Sequence, residues 1–336
     1  MASAVPALVS VARAVAAAIG LVAALVSVVP ASAAPSPEWR IEWPRTDFGK
    51  AAVPFHEILS GGPPKDGIPS IDRPTFVPVA AVKGLADTEP VVGFVLNGDA
   101  RAYPLRILTW HEIVNDTVGG VPVAITYCPL CNSSIVFDRR LDARVLDFGT
   151  TGKLRHSDLV MYDRQTESWW QQFLGQAIVG TLTGRTLAML PSRLESFAEF
   201  KARAPEGRVL VPNNPGLRAY GRNPYVGYDR ASQPFLYRGE MPKGIEPMMR
   251  VVAVGKQAWT WTLLRAKGTI EAGDLRLRWR PGQNSALDAD SIAQGRDVGG
   301  VVVQRLKDGK PEDVVHDVTF AFVFHAFHPD GVIHDR

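Results

Sequence analysis

Apolar and polar positions alternate over short distances along most of this chain, and that pattern favours β-strands over helices. The clearest case is Asp274–Trp279, where apolar side chains alternate with arginines, as expected of a half-buried strand. Val91–Leu96 and Ala100–Tyr103 are separated by Asn97-Gly98-Asp99, and Asn-Gly favours the tight turn of a hairpin. We therefore expect many short strands joined by turns.

A second predicted hairpin surrounds the two cysteines. Pro122–Tyr127 and Ile135–Asp138 are rich in β-branched and aromatic residues, and they flank Cys128 and Cys131. Asn132 follows the second cysteine, and asparagine tolerates the left-handed conformation that such a turn often needs. The pattern predicts that both cysteines lie at the tip of this hairpin.

The other predicted elements complete an α+β fold that is β-dominated, with mixed or antiparallel sheets and a few short helices. Residues 34–75 are rich in proline and glycine and are expected to form an arm with one helical piece near Phe55–Leu59, while residues 76–336 form a single β-rich domain. The remaining predictions are a helix from Pro104 to Val114, a strand over Leu141–Phe148, a helix over Ser192–Ala202, and an all-β region over 245–336 with strands at Arg250–Val254, Ala258–Leu264, Asp274–Trp279, Gly300–Leu306 and Val318–Phe324.

Composition narrows the class of protein. Charged residues make up 21% of the 336 residues and apolar residues 46%, which is ordinary for a globular chain. The net charge of +3 gives no indication of a nucleic-acid partner. With only two cysteines, a framework of several disulfides and a four-cysteine metal site are both excluded.

Residues 1–33 have the pattern of a secretory signal peptide. Arg13 precedes a 16-residue apolar run, Ala14–Val29, and Ala31-Ser32-Ala33 is a small-x-small cleavage site. An uncleaved anchor is the alternative, although this run is short for a span that needs about 20 residues. We expect cleavage before Ala34, no stable membrane span afterwards, and a periplasmic, cell-envelope or secreted location.

Cys128-Pro129-Leu130-Cys131 is the strongest candidate for chemistry, and it has three interpretations. Two thiolates at a hairpin tip suit a metal ion such as zinc or copper. A thiol–disulfide redox pair should instead open a helix that lowers the pKa of the first thiol, whereas the run after Cys131 is β-rich. A structural disulfide is the third interpretation.

Cys-x-x-Cys supplies two ligands, so a metal site needs others. His111 is the expected third ligand because its predicted helix leads into the strand before Cys128, and His156 is a weaker candidate. Glu112 is expected to orient the His111 ring as an outer partner. His325 and His328 lie in an apparent strand, where residues three apart face opposite sides.

Aromatic and charged residues concentrate in 158–172, which suggests two alternatives. Trp169 and Trp170 could stack on a sugar ring in a cleft, or they could be core side chains beside an ion pair. The side chains expected beside the metal or in such a cleft are Glu112, Tyr127, Asp158, Asp163, Arg164 and Trp169.

Several ordered motifs resemble the DUF3179 family of unknown function. Residues 67–238 carry the resemblance, and the ending Ala326-Phe327-His328-Pro329 carries it weakly. The family pattern includes positions matching His111, Cys128 and Cys131, whereas it usually has asparagine where this chain has His156 and often glycine at Asn132. The motifs are Gly98-Asp99-Ala100-Arg101-Ala102-Tyr103-Pro104-Leu105, Trp110-His111-Glu112-Ile113-Val114-Asn115-Asp116, Tyr127-Cys128-Pro129-Leu130-Cys131, Phe137-Asp138-Arg139 and Ser157-Asp158-Leu159-Val160-Met161-Tyr162-Asp163-Arg164.

Three functions are compatible with the sequence. The first is an exported protein that binds copper or zinc through Cys128, Cys131 and His111. The second is an extracytoplasmic thiol–disulfide oxidoreductase or metallochaperone, and the third is a glycan-binding module of the cell envelope. The resemblance implies no reaction, so whether the protein is an enzyme stays open.

Overall fold

The computed structural model of this protein describes residues 1–2 and 34–336, and the part from Ala34 onward lies in one compact unit. The predicted signal sequence lies almost entirely outside the described residues and stays a prediction. Strand accounts for 39% and helix for 15%, which confirms the β-dominated class. Within this described part, no helix is both long enough and apolar enough to cross a membrane.

Most strands are short. The first twelve are β1 (Ile58–Ser60), β2 (Thr75–Pro78), β3 (Pro90–Leu96), β4 (Asp99–Pro104), β5 (Ile113–Val118), β6 (Val121–Cys128), β7 (Ser133–Asp138), β8 (Arg140–Leu141), β9 (Arg144–Val145), β10 (Phe148–Arg155), β11 (Asp158–Asp163) and β12 (Trp169–Gln171). The next twelve are β13 (Gln176–Val179), β14 (Met189–Leu190), β15 (Arg193–Ser196), β16 (Arg208–Val211), β17 (Arg250–Val254), β18 (Gln257–Thr260), β19 (Thr269–Ala272), β20 (Leu275–Arg280), β21 (Gly300–Lys307), β22 (Lys310–Asp313), β23 (Asp317–Phe320) and β24 (Val332–His334).

The helices are equally short. They are α1 (Pro37–Glu42), α2 (Leu105–His111), α3 (Phe197–Arg203), α4 (Trp261–Lys267) and α5 (Ala321–Phe327), with single 3-10 turns at Phe55–Glu57, Val79–Ala81, Tyr228–Arg230 and Ile292–Gln294.

Apart from the two-stranded pair β8-β9, the strands of residues 34–336 form five sheets of four or five strands, and the fold resembles a five-bladed β-propeller. We number them sheet I (β1-β10-β11-β12-β13), sheet II (β14-β7-β6-β5), sheet III (β15-β3-β4-β16-β2), sheet IV (β23-β17-β18-β24) and sheet V (β19-β20-β21-β22). Neighbouring strands are antiparallel except for β4 with β16 and β18 with β24, so the sheets are mixed or antiparallel, as predicted. This architecture is more specific than the sequence predicted.

Both predicted hairpins form. β3 and β4 pair from Val91 with Pro104 to Leu96 with Asp99, and Asn97 has the positive φ of 50° that its turn requires. β6 and β7 likewise pair antiparallel, from Val123 with Asp138 to Cys128 with Ser133.

Several predicted helix and strand boundaries need correction. The helix from Pro104 ends at His111, because Glu112 takes a positive φ of 58° and the chain then enters β5. The expected helix over Ser192–Ala202 is strand β15 followed by α3, and the expected strand over Leu141–Phe148 is interrupted between β9 and β10.

The region 245–336 is not all-β. The predicted strand Ala258–Leu264 is β18 followed by α4, and Val318–Phe324 is the end of β23 followed by α5. Thr260 caps α4, since its hydroxyl accepts a hydrogen bond from the amide of Leu263 at 3.3 Å. His325 lies in α5 and His328 directly follows it, so the expected strand is replaced there by a helical turn.

The proline-rich arm contributes to the core. Trp43 and Phe48 are buried and pack edge-on against Trp169, with ring centroids 5.4 Å apart in each pair. Burial of such large aromatic side chains is a major stabilising contribution. The arm is thereby anchored on sheet I.

Candidate metal site

The cysteine hairpin is held in one conformation by its own turn. Its antiparallel register ends at Cys128 and Ser133, and four residues connect the strands. The amide of Cys131 donates to the carbonyl of Cys128 at 3.2 Å, and Asn132 has a φ of 52°. Asparagine is among the residues that adopt this conformation most readily, which explains its position after the second cysteine.

A second hairpin tip meets the first. β10 and β11 pair up to Arg155 with Asp158, so His156 and Ser157 form a two-residue turn, with φ values of 54° and 67°. The Ser157 carbonyl accepts hydrogen bonds from the thiols of Cys128 and Cys131, at 3.8 and 3.6 Å. Sheets I and II therefore contribute one hairpin end each to the same buried place.

This meeting creates a cluster of three ligand groups, which we call the Cys2Asp cluster: Cys128, Cys131 and Asp158. One ligand atom from each residue lies within 4.8 Å of the others, and all three residues are buried. The two cysteines are free rather than disulfide-bonded. No other group of this kind occurs among residues 1–2 and 34–336.

Two hydrogen bonds fix the orientation of the Asp158 carboxylate beside the two cysteines. Its Oδ2 accepts hydrogen bonds from Gln171 Nε2 at 2.6 Å and from the Phe173 amide at 2.9 Å. Its Oδ1 is buried and has no hydrogen-bond partner of normal geometry. The thiols of Cys128 and Cys131 interact with the Asp158 carboxyl and lower its pKa, and a bound cation would replace these weak S–H donors.

Burial dominates the electrostatics of the cluster. It raises the pKa of Asp158 to about 6 and raises the pKa of both thiols above their ordinary range. Neighbouring carboxyl groups, including Glu112, raise the pKa of Cys128 further. The two thiols and the Asp158 carboxyl therefore lose their protons less readily than usual, and a bound cation would stabilise their anionic forms.

Sheet IV clamps the cysteine turn from the other side. The Cys131 carbonyl accepts hydrogen bonds from Thr319 Oγ1 at 2.9 Å and from the Phe320 amide at 3.3 Å. Asp317 accepts from Ser133 Oγ at 2.7 Å, and burial raises its pKa to about 7. The turn is thus fixed by hydrogen bonds before any ligand binds, which is the preorganisation that a binding site requires.

The residues present fit a zinc ion. Zinc binds thiolate sulfur at about 2.3 Å and carboxylate oxygen at about 2.0–2.2 Å, so its tetrahedral ligand atoms lie roughly 3.4–3.8 Å apart. A spread of no more than 4.8 Å therefore needs only a small contraction. The two hydrogen bonds to Oδ2 of Asp158 are the outer support that ligating carboxylates commonly have.

His111, the expected third ligand, is not part of the cluster. Its Nδ1 lies 2.7 Å from the Pro69 carbonyl and its Nε2 lies 2.7 Å from the Tyr220 hydroxyl, so both ring nitrogens are engaged. Since a metal ligand needs a free nitrogen, His111 is not placed to bind an ion together with the two cysteines, and Asp158 is the third group beside them.

His156 lies close to the cluster in sequence, but its ring is directed elsewhere. Its Nε2 lies 3.5 Å from Glu57 Oε2, its ring packs edge-on against Phe327, and burial lowers its pKa to about 4. The contribution of His156 is its backbone, which forms the turn that presents Ser157 and Asp158. The asparagine that is usual at this position in the resembled family suits the same turn.

Glu112 and Tyr127 are both buried, and Glu112 does not orient the His111 ring as expected. Glu112 makes no hydrogen bond to the His111 ring; burial and the nearby Asp158 raise its pKa to about 8. The hydroxyl of Tyr127 is buried without a partner, and the side chain packs in a different core cluster from Cys128.

Of the two alternatives for the aromatic residues of 158–172, the burial of both tryptophans fits core side chains rather than a sugar-binding cleft. Trp169 and Trp170 are fully buried, so neither offers a face to a sugar. Asp163 accepts hydrogen bonds from Thr166 and from Trp170 Nε1, and Arg164 lies near Asp66 and Asp72. These side chains stabilise sheet I and its contact with the arm.

Comparisons with known proteins agree with the motifs. A family model described as a protein of unknown function, DUF3179, matches residues 65–331, which include every residue of the Cys2Asp cluster. The match extends through the Ala326–Pro329 ending, where the sequence resemblance is weak. Searches of curated proteins and of solved structures found no match.

Proposed function

The chain belongs to the DUF3179 family, and because that family name specifies no reaction, we propose its function from the site: it is an exported metal-binding protein whose Cys2Asp cluster binds one zinc ion. The observation that carries this proposal is the buried grouping itself: a carboxylate oxygen of Asp158 lies within 4.8 Å of both sulfurs, while Oδ2 of that carboxylate is fixed by two donors.

The ligand chemistry favours zinc over copper. Two thiolates and one carboxylate are all common zinc ligands, whereas Cu(I) prefers sulfur donors alone. Three protein ligands leave a fourth tetrahedral position for water or another group.

The same geometry argues against a thiol–disulfide oxidoreductase. A reactive cysteine needs a lowered pKa and partial exposure. Here burial raises the pKa of both thiols, Cys128 and Cys131 are almost fully buried, and a strand rather than a helix follows them.

Export is a proposal that rests on residues 1–33 alone. Arg13, the apolar run Ala14–Val29 and the small-x-small site Ala31-Ser32-Ala33 support it.

Metal content of purified protein tests the zinc proposal. The full-length protein, expressed so that its own signal sequence can direct export, should contain about one zinc ion per molecule when it is analysed by inductively coupled plasma mass spectrometry. Cys128→Ser, Cys131→Ser and Asp158→Asn should each lose most of that zinc, because each removes a ligand.

Two control variants make the result specific. Asp163→Asn changes a buried, hydrogen-bonded carboxylate on the same strand as Asp158, and His111→Gln changes the histidine that the sequence predicted as a ligand. Both should keep their zinc per folded molecule. Loss of zinc in His111→Gln, or retention in all three cluster variants, would contradict the Cys2Asp assignment, and copper in place of zinc would contradict the choice of metal.

A further inference from the structure

A cavity of about 490 Å³ lies beside the Cys2Asp cluster and contains a buried carboxyl group that no described residue satisfies. We propose that this cavity binds a small apolar molecule with one hydrogen-bond-donating head group, an amine or an alcohol, whose donor is accepted by Glu112. The proposal rests on the cavity and Glu112 and does not require the zinc ion.

The walls of the cavity are mainly apolar. Leu130, the residue before Cys131, and Leu159, the residue after Asp158, both line it, together with Leu154 and Phe235. An engineered cavity of about 150 Å³ lined by apolar side chains binds benzene, so the present volume suits a ligand roughly three times as large. Ligand pockets typically have this range of volume and this apolar character.

The polar groups in the cavity are acidic or neutral. Glu112 is only 7% exposed, and its carboxyl receives no hydrogen bond from the residues that the structure describes. Tyr225 lines the same cavity, and burial together with the Glu112 carboxyl raises the pKa of its hydroxyl. These two groups are the few convergent polar atoms that fix the orientation of a ligand.

The one lysine in the wall does not offer its charge to the cavity. The Nζ of Lys153 lies 2.8 Å from Glu42 Oε2 and 3.3 Å from the Thr151 carbonyl, and it also lies over tryptophan rings. An anionic head group would therefore face Glu112 and the buried Asp158 without a compensating cation. A donor head group can bond to an acceptor oxygen of Glu112 in either protonation state, and an ammonium group also pairs with the ionised form. A carboxylate could bond only to the protonated form and would still face Asp158 without a compensating cation, which explains our choice of ligand class.

One wall of the cavity is a loop that is hydrogen-bonded to both hairpin tips. Within 224–235, the Tyr228 hydroxyl donates to the Leu130 carbonyl at 3.1 Å, and Ser157 Oγ donates to the Phe235 carbonyl at 2.5 Å. Val226 and Phe235 on this loop are 58% and 50% exposed, which leaves apolar side chains at the rim of an apolar cavity. Exposed apolar residues around a concave site are typical of a ligand entrance.

Calorimetric titration with three matched probes tests the proposal: 4-phenylbutylamine, 4-phenylbutanol and 4-phenylbutanoate. The wild-type protein should bind the amine most tightly, the alcohol less tightly, and the carboxylate at least tenfold more weakly than the amine. In Glu112→Gln, affinity for the amine should fall at least tenfold, and the carboxylate should bind as well as the amine or better.

A cavity-filling variant and a control at an exposed position test whether the probes bind in this cavity. Ala231→Trp fills the cavity from its rim and should abolish binding of the amine and the alcohol, whereas Glu206→Gln, at an exposed glutamate, should bind like the wild type. No binding of any probe at 1 mM, or an equal affinity for amine and carboxylate, would overturn the proposal.

Zinc content measured in the same samples separates the two proposals. Probe binding without zinc would overturn only the proposed metal function, and zinc without probe binding would overturn only the cavity proposal.

Discussion

Replacing Glu112 by glutamine should change how the stability of this protein depends on pH. Burial raises the folded-state pKa of Glu112 to about 8, from an ordinary value of 4.5. In the folded protein this group keeps its proton over a range in which the unfolded chain has lost it. Its contribution to stability is therefore fully present below pH 4.5 and is lost as the pH rises through 8.

The magnitude follows from the size of the pKa difference. One pKa unit corresponds to about 1.4 kcal/mol, so a difference of roughly 3.5 units amounts to about 5 kcal/mol over the whole range and to about 4 kcal/mol between pH 5 and pH 9. Glutamine has the same shape and no titration, so the variant should lack this component of the pH dependence.

Urea unfolding of the chelator-treated protein at pH 5, 7 and 9 measures the effect. The difference in unfolding free energy between wild type and Glu112→Gln should shift by about 4 kcal/mol from pH 5 to pH 9 in favour of the variant. The comparison between variants cancels the contribution of Asp317, whose pKa is also raised by burial, whereas the difference that it measures includes the charge coupling between Glu112 and Asp158. Glu206→Gln, at an exposed loop position, should follow the wild type. A shift below about 1 kcal/mol would refute the reasoning that Glu112 is buried without a partner.

Two other expectations concern the turn and the N-terminus. His156→Asn should keep the zinc content and change the unfolding free energy by less than about 1 kcal/mol, because asparagine readily adopts the positive φ of this turn. His156→Val should destabilise the fold by about 1–2 kcal/mol and reduce zinc binding, as measured by urea unfolding and metal analysis. Equal behaviour of the two variants would contradict a backbone role for His156. N-terminal sequencing of the exported protein should find Ala34 or a neighbouring residue first, and a chain that still carries residues 1–33 would contradict signal cleavage.

The hairpins could be predicted because their signals are local. Asn97-Gly98 and Asn132 supply positive φ values within a few residues of the strands that they connect, and a short sequence window contains all of that information. The helices α4 and α5 could not be recognised in the same way. Their N-terminal halves, Trp261–Leu264 and Ala321–Phe324, are largely apolar and buried, so the sequence lacks the amphipathic period that separates a helix from a strand.

The end of α2 shows a different limit, and it explains why the position of His111 could not be predicted. The predicted helix to Val114 requires helical backbone angles at Glu112. Glu112 instead takes a positive φ, which glutamate seldom adopts. That conformation ends the helix and starts β5, while His111 bonds to Pro69 and Tyr220. Tertiary contacts determine this outcome, and no local pattern predicts it.

The Cys2Asp cluster depends on turns more than on side-chain reach. Asn132, with its positive φ, follows Cys131, and Ser157, also at positive φ, precedes Asp158, so each hairpin tip positions its members of the cluster through a fixed backbone bend. Asp158 is 27 positions after Cys131 in a different sheet, and sequence spacing alone could not pair them. The Ser157 carbonyl joins the tips by accepting from both thiols. Substitutions that disfavour these two bends should therefore weaken metal binding more than conservative changes within β6, β7, β10 or β11, where strand pairing maintains the register.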